Sequence, residues 1–303
     1  MQIDDKVWLK LNIYIVSNFR IDSDLRLQRM KDSFLSFKDA NISSWIVNVR
    51  GSHAYLAKEF LENNITQRAS ITCIESGKGW FHDSSSLIKD IDEGYLLYWI
   101  EDHINTASIE TLNSVFKEIW RSGIDQIQYS FFSRAKYDSC QKVSSSENEH
   151  FRVVNFTNKS WETYLSSCNE EGIVNPYLIS LASIMSVQHF KSILSKRDPI
   201  LRRHSKHTPF DFEKSHVDSH WLPLKTGILE RELFACIDTD HDGPSLISRG
   251  LYRDSKEPPV NMSINFVSES KGAVSRKFIY QFLLAVLPKR LLFWLKRISF
   301  YFY

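Results

Sequence analysis

Four short runs of strand-forming, largely apolar residues recur in the first hundred positions, and each is separated from the next by a stretch of helical spacing. The first, Leu11 to Ser17 (LNIYIVS), closes on Asn18-Phe19-Arg20, expected as a polar turn. After it, Leu25, Leu27, Met30, Phe34 and Phe37 recur with the period of one helix face. Ser44 to Val49 (SWIVNV) is the second run, stopped by Arg50-Gly51 and followed by a helix around Ala54 to Glu62. Ala69 to Glu75 (ASITCIE) and Tyr95 to Ile100 (YLLYWI) are the third and fourth, with a helical piece around Ser85 to Ile91 between them. Strands that alternate with helices assemble into a mostly parallel sheet. Continuously apolar strands, as opposed to alternating ones, are buried on both faces. The expected fold class is therefore α/β: a Rossmann-like, mostly parallel sheet with helices on both faces. Ligands of such sheets bind beyond the carboxyl ends of the strands, so the residues directly after each strand are where chemistry is to be sought.

Past Glu101 the rhythm loosens. Ile109 to Ser122 reads as a helix, Ile124 to Phe132 as a strand, and Trp161 to Cys168 and Tyr177 to Leu194 as helices. A charged, serine-rich loop, Ser144 to Glu149, divides the chain only loosely. The 10 glycines form no phosphate-cradling loop, which excludes Walker and dinucleotide fingerprints. A net charge of +2 gives no case for nucleic acid as a partner. Cys73, Cys140, Cys168 and Cys236 have no paired metal spacing, which argues against a zinc ribbon or a secreted disulfide framework and fits a reducing compartment. Met1 to Lys10 is polar and charged, so no signal peptide is expected. Aromatic residues make up 13% of the chain, a surplus produced both by a large core and by surfaces that stack on sugars.

Glu101-Asp102-His103 follows the fourth apolar run directly. Two acids and a histidine at the end of a buried strand are costly unless they face a cleft, a metal or a partner. A cation that bridges a diphosphate wants hard oxygen ligands, and imidazole is acceptable to manganese. Because alternate strand residues point the same way, Glu101 and His103 are expected on one ion, with Asp102 turned to a neighbouring loop.

An apolar strand ending in Glu-Asp-His, fourth in a run of β-α units, resembles the DxD-type motif of glycosyltransferases with the GT-A fold, with His103 in the third acidic position. The resemblance runs loosely over residues 11 to 250 and implies a nucleotide-binding half (about 1–135), an acceptor half (about 136–265) and a tail (266–303). It implies a divalent cation, Mn2+ or Mg2+, on Glu101 and His103. Ile13 to Arg20 looks like the first strand and donor-base loop, Val47 to Gly51 like the second strand end, and Glu75 to Trp80 like a loop that approaches the donor. Ser17, Asn18, Arg20, Arg50, Lys78, Trp80 and Asp102 are thereby expected at the nucleotide sugar.

In the second half, His216 and His220 stand four apart, one helix face, and His220 is the leading further metal ligand, with His241 next. Asp238 to Gly243 looks like a calcium loop but has Arg249 where the terminal glutamate belongs, which rejects that reading. Arg249 suits a diphosphate clamp, since a guanidinium matches phosphate oxygens bidentately. If transfer inverts, a carboxylate must take the acceptor proton; Glu213, Asp211 and Asp240 compete for that role.

The segment Phe278 to Tyr303 is apolar but carries Lys289, Arg290, Lys296 and Arg297. Its longest uncharged run falls short of the roughly 20 residues that span a bilayer. Wound as a helix from Pro288, it places these cations on one face and Leu287, Leu291, Trp294, Leu295 and Ile298 on the other. That is the pattern of an amphipathic C-terminal helix lying in a membrane interface. The expectation from the whole chain is a cytoplasmic glycosyltransferase, peripheral at the inner membrane, that moves a sugar from a nucleotide-sugar donor to a lipid-linked or oligosaccharide acceptor in bacterial polysaccharide, O-antigen or capsule synthesis. The tail could also pair copies into a homo-oligomer. The alternatives are a non-catalytic scaffold of polysaccharide assembly and a sugar nucleotidyltransferase; the glycine-free loop Asn18 to Asp22 argues against the second.

Overall fold

The computed structural model describes residues 12–75, 78–128, 145–155, 182–195, 225–229, 231–238 and 245–253. Its first half alternates as the apolar runs require: β1 (Ile13–Arg20), α1 (Asp24–Phe37), β2 (Ser44–Arg50), α2 (Ala54–Asn64), β3 (Arg68–Thr72), α3 (Trp80–Leu87) and β4 (Tyr95–Tyr98). There follow β5 (His103–Asn105), α4 (Ile109–Ser122), β6 (Gln126–Gln128), β7 (Ser145–Glu147), β8 (Phe151–Asn155), β9 (Ser183–Ser186), α5 (Val187–Ser195), β10 (Lys225–Leu229) and β11 (Phe234–Cys236).

Nine strands form one sheet in the order β3-β2-β1-β4-β9-β6-β10-β8-β7. β1 pairs in parallel with both β2 and β4, β2 with β3, and β6 with β10. β9 and β8 run against their neighbours, so the sheet is mostly parallel in strand direction. β5 and β11 form a separate two-stranded sheet. The chain moves outward from β1 through β2 to β3, then returns across β1 to lay down β4 on its other side. The β1/β4 boundary is thus the topological switch point, where a crevice opens beyond the strand ends.

Strand pleating sorts the core into two faces. Ile13, Ile15 and Phe19 of β1 pack with Met30, Phe34 and Phe37 of α1, with Leu61 of α2, and with Leu112, Phe116 and Ile119 of α4. Val16 of the same strand joins Trp80 of α3 and Phe190 and Ile193 of α5 on the opposite face. Helices therefore cover both faces, as expected. The helix ends follow local chemistry. Ser23 caps α1 by accepting from the Arg26 N–H, and Ser108 caps α4 by accepting from the Thr111 N–H. Gly123, at φ +58°, closes α4 in the left-handed conformation.

Four sequence expectations are corrected. The loop expected over Ser144 to Glu149 contains β7, paired antiparallel with β8 because the sheet extends to this edge. Asn18-Phe19-Arg20 is not a turn but the last three residues of β1, because Phe19 is buried and the ladder with β2 continues to Arg20–Arg50. The helix expected from Ser85 begins at Trp80, whose ring is buried against Tyr98. Within the described part of the helix expected over Tyr177 to Leu194, helix is found only from Val187. Residues 183–186 are instead β9, inserted antiparallel between β4 and β6, with Ile184 in one core and Met185 in the other. The expected helix Trp161 to Cys168 and the tail 266–303 lie outside the described residues.

Gly51 joins β2 to the turn before α2 at φ +96°, and a Cβ there would meet Asp22 Oδ1 at 2.3 Å and the Ile21 carbonyl oxygen at 2.6 Å. Gly123 has the milder φ and open space around it. Gly51→Ala is therefore expected to lower the unfolding free energy by about 2–3 kcal/mol, and Gly123→Ala by about 1 kcal/mol. Urea denaturation of the two variants beside wild type checks this. Equal losses would show that backbone crowding at Gly51 is relieved by movement of Asp22.

Candidate active site

Trp99, the first residue past β4, fixes how the chain enters the crevice. Its ring is fully buried among Phe19, Phe34, Phe37 and Trp45. Its indole N–H donates to Ser33 Oγ at 2.8 Å, its backbone N–H donates to the Val16 carbonyl at 2.9 Å, and its carbonyl accepts from Ser17 Oγ at 2.8 Å. Ser33 in turn donates its hydroxyl hydrogen to the His103 carbonyl. The turn Glu101-Asp102 is thus tied at both ends to α1 and β1, and it opens at the switch point.

The three residues of the motif separate. Glu101 Oε1 lies 3.5 Å from Arg26 Nη1. Burial and then the Asp102 charge push its carboxyl up to about 8, against the attraction of Arg26 and Arg50. Asp102 turns the other way, with Oδ1 2.8 Å from His103 Nδ1. Burial works to raise the Asp102 carboxyl, but the hydrogen bond and charge of His103, aided by Arg26, hold it below its ordinary value. Across the β5/β11 pair, Cys236 stands in register with His103. A carboxylate oxygen of Asp102, an imidazole nitrogen of His103 and the Cys236 sulfur lie within 4.8 Å of one another. The structure therefore joins His103 to Asp102, whereas the sequence reading joined it to Glu101. The strand ends at Tyr98, so strand alternation no longer governs residues 101–103.

Beside this turn the ends of three parallel strands carry a polar row. Asn18, Asn48 and Thr72 are in register on β1, β2 and β3. Asn48 Nδ2 donates to Asn18 Oδ1 at 3.1 Å and to the Ile74 carbonyl at 2.9 Å, and its Oδ1 accepts from Thr72 Oγ1 at 2.8 Å. Asn18 Nδ2 donates to Ser84 Oγ at 3.1 Å, which ties the row to α3. One step further out, Arg20 and Arg50 are again in register. Arg50 is buried and donates from Nη2 to the Asn18 carbonyl at 3.3 Å; burial and the Arg20 charge pull its guanidinium below the ordinary arginine value. Arg20 is partly exposed and pairs with Glu75 at 2.9 Å. Arg26, half-exposed in the first turn of α1, donates to the Arg20 carbonyl at 2.9 Å. Arg29 holds Asp238, two residues past Cys236.

Of the expected donor-binding residues, Asn18, Arg20 and Arg50 stand together at the carboxyl ends of β1 and β2, and Asp102 lies in the turn after β4. Ser17 is wholly buried and serves to hold Trp99, and Trp80 is a core residue with no exposed ring face. Lys78 is exposed. Arg249 Nη1 is engaged by Glu232 Oε2 at 2.9 Å. Glu213, Asp211, Asp240, His220 and the tail residues Lys289, Arg290, Trp294, Lys296 and Arg297 lie outside the described residues. Sequence reasoning missed Arg26, Asn48 and Cys236. The repeated placement of Asn two residues before Arg in the first two strands, Asn18-Phe19-Arg20 and Asn48-Val49-Arg50, was the available signal for Asn48.

No protein-family model and no curated protein matches the chain. Among solved structures it is similar to S. aureus TarS. A structure of TarS residues 1–349 matches with 10% identity and a TM-score of 0.41, covering 74% of this chain and 60% of that one. The same fragment in complex with UDP matches with 12% identity and a TM-score of 0.41 over the same shares. A longer TarS structure gives 11% identity and a TM-score of 0.45, with 74% of this chain and 36% of that one covered. The chain thus spans 60% or less of the TarS structures it matches.

The raised Glu101 carboxyl sets a pH dependence. Below its ordinary value of 4.5, folded and unfolded chains both carry it protonated; between there and about 8 only the unfolded chain ionises it. Unfolding then releases a proton, so this residue makes stability fall as pH rises through that window. Glu101→Gln is expected to remove this contribution, so that the variant gains on wild type from about pH 5 to pH 8, by ~1 kcal/mol or more at the upper end. Denaturant midpoints across that range test it, and parallel curves for the two proteins would refute it.

Proposed function

We propose that the chain is a glycosyltransferase that binds a nucleoside-diphosphate sugar in the crevice at the carboxyl ends of β1, β2 and β4. The observation that carries this reading is the position of Glu101-Asp102-His103: the acidic turn leaves β4 at the switch point, beside the polar row of Asn18 and Asn48 and the guanidinium groups of Arg20 and Arg26. A nucleotide needs a polar floor for its base and ribose and positive charge for its diphosphate, and these side chains supply both.

In this reading Arg26 and Arg20 meet the diphosphate, whose negative charge grows as the glycosyl bond breaks; fixed cations at the leaving group are worth most in a site sheltered from water. Glu101, protonated at neutral pH, leaves Arg26 with less of its charge neutralised and able to serve phosphate oxygens. Asp102 and His103 would hold a divalent cation, and as a carboxylate–imidazole pair they fit a transition-series ion better than magnesium, which prefers oxygen ligands alone. Such an ion, when bound, adds to the positive charge at the leaving group. Glu213, Asp211 or Asp240 takes the proton of the acceptor hydroxyl if transfer inverts. The acceptor is a lipid-linked or oligosaccharide glycan of bacterial surface-polysaccharide assembly, reached at the inner membrane through the basic amphipathic tail. Among the described residues no helix is long and apolar enough to cross a membrane.

The test is thermal stabilisation of purified full-length protein by UDP and the diphosphates of the other bases, each with manganese, with magnesium and with EDTA. A ligand that binds only the folded state raises the melting temperature as its concentration passes its Kd. One nucleotide is expected to give a shift that grows with manganese. Arg26→Ala is expected to raise the Kd of that nucleotide about tenfold, the cost of one charge-assisted contact. The absence of any nucleotide effect in folded protein would move the assignment to a non-catalytic scaffold of polysaccharide assembly.

A further inference from the structure

The antiparallel β5/β11 pair sets His103 opposite Cys236, and the residue before His103 supplies a carboxylate that contacts its ring at 2.8 Å. One oxygen, one nitrogen and one sulfur donor thereby come within 4.8 Å of one another. His103 and Cys236 are 2% and 4% exposed, while the Asp102 side chain is 26% exposed. The cluster is closed on its protein side and reaches solvent through the carboxylate. A second carboxylate stands close by: Asp238 Oδ1 is 3.8 Å from the Cys236 sulfur, while its other oxygen is held by Arg29.

We propose that Asp102, His103 and Cys236 bind a thiophilic divalent cation of the zinc class. Magnesium and calcium take oxygen ligands. A mixed set of carboxylate, imidazole and thiolate selects zinc or cobalt, and it outbinds manganese for the same donors. A tetrahedral zinc with bonds of about 2.0–2.3 Å sets its ligand atoms about 3.3–3.8 Å apart. The three donors already lie within 4.8 Å of one another, and the paired backbone of β5 and β11 keeps two of them opposed. Binding breaks the Cys236 S–H bond and forms a metal–sulfur bond; the proton goes to solvent and nothing is oxidised or reduced. Affinity accordingly falls on acidification. The inference shares Asp102 and His103 with the cation of the transferase reading and narrows that ion through Cys236; the donor set itself stands whether or not a nucleotide binds.

The probe is cobalt(II), titrated into chelator-treated full-length protein. A thiolate-to-cobalt charge-transfer band in the near ultraviolet is expected, with the visible bands of a tetrahedral site. Stoichiometric zinc should erase both and a large excess of magnesium should leave them. Cys236→Ser should abolish the charge-transfer band, while Cys73→Ser, which removes the other described thiol, keeps it. Asp102→Asn, which retains the shape of the turn, should keep the band but weaken zinc binding about tenfold or more. No cobalt spectrum in folded wild-type protein, a charge-transfer band that survives Cys236→Ser, or equal competition by magnesium would each overturn the proposal. An intact cobalt spectrum without any nucleotide-induced stabilisation would remove the transferase reading and leave this site standing.

Discussion

The site depends first on how Trp99 is anchored. A strand that ends at a crevice must turn its next residues into water, yet the turn has to be held still if its acids are to meet a ligand in a fixed geometry. Here the anchoring is apolar on one side and polar on the other. The indole packs against Phe19, Phe37 and Trp45, and its N–H reaches Ser33, which in turn holds the carbonyl of His103. The aromatic surplus of the composition is accounted for here to a large degree: the rings of Phe34, Phe37, Trp45 and Trp99 form one contiguous group under the turn. Core packing and site geometry are therefore the same feature seen from two sides.

The consequence is that two adjacent carboxylates, Glu101 and Asp102, live under opposite electrostatic rules. Burial disfavours the charge of both, fully for Glu101 and in part for Asp102. Asp102 has His103 at hydrogen-bond distance, which favours its charge, whereas Glu101 has the longer contact to Arg26 and weaker help from Arg50 and backbone, and also feels Asp102. One site thus holds an ionised acid and a neutral one at the same pH, and the difference is set by the direction in which the turn points each side chain. A substitution that rotated the turn would exchange their roles without changing their identity.

The doubly wound half of the fold was legible because its signals are local. α4 has the limits that the sequence suggested, since Ser108 and Gly123 bracket it, and β2 runs only one residue past the expected Val49, to Arg50. β9 was not legible: Ile184, Met185 and Val187 fit a helix as well as a strand, and only their insertion between β4 and β6 decides between them. Trp80 misled because the resemblance puts the stretch Glu75 to Trp80 at the donor, whereas burial against Tyr98 and Phe190 makes its ring core. Cys236 carried no sequence signal, because its partners lie more than a hundred residues away and meet it only through the β5/β11 pairing.

The polar row across β1, β2 and β3 decides which side chains a ligand can use. Asn18, Asn48 and Thr72 bond chiefly to one another, to Ser84 of α3 and to nearby backbone. Buried amides satisfied in this way are expensive to reorient, since each broken bond would leave an unpaired polar group. They form a rigid floor, with little freedom to swing toward a ligand. The groups that can adjust are those at its rim: Arg20, Arg26 and Asp102, with side chains 31%, 48% and 26% exposed. The strand ends are therefore divided by mobility: buried amides held by their own bonds, and a rim of two guanidinium groups and one carboxylate that can still move.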